Sequence, residues 1–129
     1  MGRPREFDER QVLLKATELF GQRGYDAVTV DVMLKYLGVS RASFYKLYGS
    51  KQRLCQLALE SACERAEQGG SEADAVARDR DLVVVALLEL APLNEDLRRI
   101  SLRAFRLCFA DDAESLGRHL LNRADRPRN

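Results

Sequence analysis

Arg41, Ser43 and Lys46 lie together on one short stretch of chain, and the residues between them are mostly apolar. A guanidinium fork, a hydroxyl and an ammonium are all hydrogen-bond donors, and two carry positive charge. In that company they suit phosphate oxygens and the acceptor edges of bases. Val39, Phe44 and Leu47 are the packing candidates of the same stretch, so the spacing predicts a short helix with an apolar back and a donor-rich front. Catalytic chemistry finds no support. There is one histidine, His119, and neither a glycine-rich phosphate loop nor metal-ligand spacing appears. Cys55 and Cys63 are about two helical turns apart, too far to share a metal ion. With Cys108 they read as reduced packing thiols. Neither an enzyme nor a cofactor is expected.

A donor face of this kind needs a brace. The segment TVDVMLKYLGVSRASFYKLYGSK, from Thr29 to Lys51, reads as two short helices joined by a turn that starts at Gly38. That is the spacing of a helix-turn-helix unit, in which one helix braces and the other lays its N-terminal half in a major groove. Thr29 caps the first and Ser40 the second. Ahead of them, a helix over about Glu9–Arg23 carries an apolar face at Val12, Leu13, Ala16, Leu19 and Phe20, with Asp8 as its cap and Gly24 as its stop. Behind them, Ser50 caps a fourth helix from Lys51 to about Gln68 with a stripe at Leu54, Leu57, Ala58 and Ala62. Gln68-Gly69-Gly70-Ser71 reads as a linker. A helix over Ala73–Ala91 follows, stopped by Pro92, then a helix capped by Asn94, and a last one over Ala113–Arg123. No strand pattern and no repeat occurs, so the fold class expected is all-α: a three-helix head at residues 1–50, a connecting helix at 51–68, and a small helical body at 69–129.

The 129 residues are 46% hydrophobic and 32% charged, which fits a folded chain and excludes global disorder. No apolar run approaches the roughly 20 residues of a membrane span. The charged opening MGRPREFDER does not read as a signal peptide. With unpaired cysteines, this points to the cytoplasm and away from membranes. The formal net charge is +1, but residues 1–53 hold ten basic and six acidic residues, whereas residues 54–96 hold three and ten. A basic head on an acidic middle suits a polyanion at one end. Lys51 opens its helix where a cation opposes the dipole, which favours an external anion beside it.

The run LxxAxxLFxxxGYxxVTV from Leu13 to Val30, followed by GVSRASFY and then YGSKxxL from Tyr48 to Leu54, resembles the DNA-binding head of the tetracycline-repressor (TetR/AcrR) family of bacterial regulators. The resemblance covers residues 9–57, and several fixed spacings agree at once. It implies contacts to a double-stranded operator. Thr29 would clamp a phosphate, Tyr45 would press on the sugar-phosphate backbone, and Lys51 would grip a phosphate. Ser40 would stand at the start of the reading helix. Arg41, Ala42, Ser43 and Lys46 would face base edges. It also implies a repressor acting as a homodimer on a near-palindromic site, and a small-molecule effector that changes the separation of the heads. The stretch from Asp81 to Phe105 is similar to part of the family's regulatory domain, which is usually about twice as large, so a reduced body is expected. The dimer seam is expected at Leu97, Ile100, Phe105, Phe109, Leu116 and Leu120, where leucine and phenylalanine exceed what one small body can bury. The alternative is a helical protein–protein module that keeps the head's shape but has lost DNA binding.

Overall fold

The computed structural model describes residues 8–69 and 72–127. The opening MGRPREF, Gly70 and Ser71 of the expected linker, and the last two residues lie outside them. Among the described residues there are seven α-helices and no strand: α1 (Glu9–Arg23), α2 (Val30–Leu37), α3 (Arg41–Leu47), α4 (Lys51–Glu67), α5 (Ala73–Val85), α6 (Glu95–Cys108) and α7 (Ala113–Ala124). Their starts follow local chemistry. Asp8, Thr29, Ser40, Ser50, Asn94 and Asp112 each turn a side-chain oxygen onto an amide of the first turn. Gly38 closes α2 in the left-handed conformation, φ 72°, where its amide reaches the Leu34 carbonyl.

The buried side chains form one continuous cluster, from Val12 on α1 to Phe109 after α6. Helix α1 packs most extensively on α5 and also on α4, and α4 packs on α6. The α1–α5 contact is close because Gly21 stands at it. A Cβ there would come within 3.1 Å of Asp81 Cβ and 3.2 Å of the Leu82 amide nitrogen. Helix α4 is covered from two sides, so Cys55 and Leu59 are buried as well as the stripe residues Leu54, Ala58 and Ala62, while Leu57 stays half-buried.

The helix expected to run unbroken to Ala91 does not. It ends as α at Val85 and widens into a π-helical turn, Ala86–Leu90, closed by the Ala91 amide donating to the Ala86 carbonyl at 2.8 Å. Ser101 of α6 places its hydroxyl 3.4 Å from that same carbonyl. Single π turns of this kind are rare and frequently stand at functional sites.

The expected dimer seam needs correction. Leu97, Ile100 and Phe109 are buried within the chain's own core. Phe109 stacks on Phe105 and takes the Arg80 guanidinium over its ring. Apolar excess after Asp81 is thus mostly spent inside. Phe105 and Leu116 are half-buried against the core, and Leu120 and Leu121 on α7 are exposed.

The three cysteines are free thiols. Burial pushes the Cys55 thiol well above its ordinary range and the Cys108 thiol up to about 12; Cys63 shifts the same way for the same cause. A raised value means that the unfolded chain sheds these protons first as pH rises. Stability should therefore hold below pH 9, the ordinary thiol value, and fall above it. Urea midpoints measured across that boundary check this, and iodoacetamide at neutral pH should label the thiols only after unfolding.

Candidate nucleic-acid interface

Two helix starts build the interface. Thr29 has extended backbone and its hydroxyl accepts from the Val32 amide at 3.2 Å; Ser40 repeats the arrangement with the Ser43 amide at 3.1 Å. The Arg41 guanidinium, in the first turn of α3, is ion-paired with Asp31 in the first turn of α2. That contact spans the two N-termini, which lie side by side. Their free amides and both cap residues therefore share one region of surface, where helix dipoles favour an anion.

Helix α3 is held from behind. Phe44 is fully buried, Val39 and Tyr48 nearly so, and Phe44 meets the Tyr45 ring edge-on and Tyr48 at a tilt. This anchoring leaves Arg41, Ala42, Tyr45 and Lys46 exposed and Ser43 half-buried. Leu47, expected behind the helix, is 50% exposed instead. A helix of two turns has room for one deep anchor facing inward, and Phe44 occupies that place.

Lys51 makes contacts within the chain that its expected role does not include. Its ammonium donates to the carbonyls of Tyr25, at 2.9 Å, and Val28, at 2.8 Å, and lies over the Tyr25 ring. Two of its three donors are thus spent on holding the α1–α2 loop. Its charge stays near the surface, but its first effect is to fix the backbone that leads into Thr29.

Residues that pattern and spacing did not single out hold the rest. Glu89, in the π-turn, accepts from the amides of Tyr25 and Asp26 at 3.0 and 2.8 Å. A lone carboxylate inside the apolar run LVVVALLELA was the available signal. Asp81, buried on α5, is bound by His119 at 2.8 Å and by both terminal nitrogens of Arg126, while Arg123 donates to the Gly21 carbonyl of α1. His119 is therefore a structural partner of a buried carboxylate. Arg65 grips Asp79 with two nitrogens, at 3.0 and 2.7 Å, tying α4 to α5. Beside that pair a half-open cleft of about 380 Å³ is lined by Ala66, Val76, Leu107 and Cys108 among others. No cluster of metal-ligating side chains occurs among the described residues.

Comparison with known proteins agrees with this geometry. The family described as bacterial regulatory proteins, tetR family, matches residues 12–57. An HTH-type transcriptional repressor of Escherichia coli, BdcR, is 39% identical over 103 residues, covering 78% of this chain and 48% of BdcR. An uncharacterized HTH-type transcriptional regulator of Bacillus subtilis, YezE, is 38% identical over 84 residues, 59% of this chain and 43% of that protein. The chain thus spans under half the length of these two relatives. The crystal structure of the TetR family transcriptional regulator PfmR from Thermus thermophilus shares the fold, with a TM-score of 0.53 and 22% identity over 95% of this chain and 76% of that one. Residues 12–57 of this all-helical chain thus carry a head of the tetR family of bacterial regulatory proteins.

Proposed function

We propose that this chain is a sequence-specific, DNA-binding transcriptional regulator that represses by occupying a near-palindromic operator as a homodimer. One observation carries the reading: Arg41, Tyr45 and Lys46 stand exposed on a short helix whose opposite side is anchored by Phe44, beside two capped helix starts. In this arrangement α3 enters the major groove. Arg41, Ala42, Ser43 and Lys46 face base edges. Thr29, Ser40 and Tyr45 meet the sugar-phosphate backbone, and Lys51 adds charge at its margin. Two heads about 34 Å apart would read successive turns of the duplex.

The seam of that dimer draws on the apolar side chains that the core leaves exposed on α7, Leu120 and Leu121, and on the half-buried Phe105 and Leu116. The cleft between α4, α5 and α6 is the place for a small effector, with apolar walls and the Arg65–Asp79 pair at its edge. The protein works on DNA without cofactor, in the cytoplasm. Among the described residues no helix is long and apolar enough to cross a membrane.

Fluorescence anisotropy with labelled duplex DNA across a salt series tests the reading. Affinity should fall steeply as salt rises, because phosphate contacts release counterions. Binding that is absent, or unchanged by salt, would leave a helical protein-interaction module as the better description.

Asp31 gives a further check. Its pair with Arg41 is exposed, 81% and 55% on the two side chains, so it adds little stability. Its negative charge instead faces the same duplex as Arg41. Asp31→Asn should raise affinity for any duplex about threefold to tenfold at low salt and narrow the gap between preferred and unrelated sequences. The same anisotropy assay reads both changes.

A further inference from the structure

The α1–α2 loop is short, and Thr29 follows it directly. Its backbone is gripped from two sides. From the start of α4, Lys51 holds the carbonyls of Tyr25 and Val28. From the body, one oxygen of Glu89, Oε1, takes the amides of Tyr25 and Asp26, residues more than sixty positions away. The second oxygen, Oε2, lies 3.0 Å from where a Cβ on Gly24 would stand, and Gly24 has φ +91°. A side chain at position 24 would be strained and would crowd the carboxylate. Glu89 itself is half-buried in the widened turn between α5 and α6.

We propose that Glu89 is a positioning residue for DNA binding: from the body's π-turn it fixes the loop that sets Thr29 and the start of α2, and so joins the state of the body to the placement of the phosphate contact. The inference rests on the DNA-binding reading above. Both loop amides share a single acceptor oxygen, so the hydrogen bonds need an oxygen at that point but not a negative charge. Glutamine keeps such an oxygen, whereas alanine removes it.

The test compares the wild-type chain with Glu89→Gln, Glu89→Ala and Gly24→Ala. The probe is a duplex that the wild type selects from a random library. Amide hydrogen exchange at Tyr25 and Asp26 is read alongside. Glu89→Gln should bind within about twofold of wild type and keep both amides protected. Glu89→Ala should bind about tenfold more weakly and lose that protection while its helical circular dichroism stays that of wild type. Gly24→Ala should weaken binding in the same direction, which keeps the test open should Glu89→Ala fail to fold. Wild-type affinity in Glu89→Ala, or in Gly24→Ala should Glu89→Ala not fold, would overturn the positioning role alone. Glu89→Gln as weak as Glu89→Ala would overturn it too, since charge and not the shared oxygen would then matter. A wild-type chain that selects no duplex would overturn the DNA-binding reading and this inference with it.

Discussion

Phe20→Ala is expected to destabilise the fold by about 3–5 kcal/mol, which is a large part of the roughly 5–15 kcal/mol that holds a domain of this size together. Phe20 is fully buried on α1 and its ring leans on Tyr25 at the start of the α1–α2 loop. Helix α1 packs on α5 and α4 at once, so the space left by the ring cannot close by moving one neighbour alone. Gly21 next to it already brings α1 and α5 to their closest approach. The melting temperature should drop by roughly 10–20 °C, read by circular dichroism. A drop of only a degree or two would mean that α1 is not packed on α4 and α5 as described.

The second large effect concerns binding. Replacing Arg41 and Lys46 together by alanine should cost about a hundredfold in affinity for the preferred duplex, because each exposed cation is a contact worth up to a few kcal/mol. The two changes should separate. Arg41→Ala alters which sequences are preferred, since a guanidinium can meet guanine with two bonds. Lys46→Ala alone should relax the preference at a different base pair of the same half-site. Stability should barely move, as neither side chain belongs to the core. A selection from a random duplex library, run with each variant, measures both.

Much of the head was legible because its signals are local. Thr29, Ser40 and Ser50 announce helix starts by their own hydroxyls, and Gly38 announces a turn by its freedom at positive φ. Phe44 announces the inward side of α3. Leu47 was misplaced because a helix of two turns gives periodicity too few points to fix a face. Leu97, Ile100 and Phe109 were assigned to a seam because apolarity says that a side chain is buried but not against which chain. The family likeness assigned Lys51 to a phosphate, whereas its position over Tyr25 depends on how α4 meets the α1–α2 loop.

What stayed hidden is what topology brings together. Glu89 with Tyr25, Asp81 with His119 and Arg126, and Arg65 with Asp79 are each joined across long stretches of sequence. No spacing rule links such residues before the helices have packed. The contact of Ser101 on α6 with the Ala86 carbonyl of the π-turn is of the same kind.

The claim on which the rest depends is that the starts of α2 and α3 form the surface that meets a duplex. Amide chemical-shift mapping during titration with duplex DNA asks this residue by residue. The perturbed signals should gather at Thr29, Ser40, Arg41, Tyr45 and Lys46, and raising salt should reverse them. Perturbations centred instead on α6 and α7, or none at duplex concentrations of about 10⁻⁴ M where even non-specific binding registers, would contradict it.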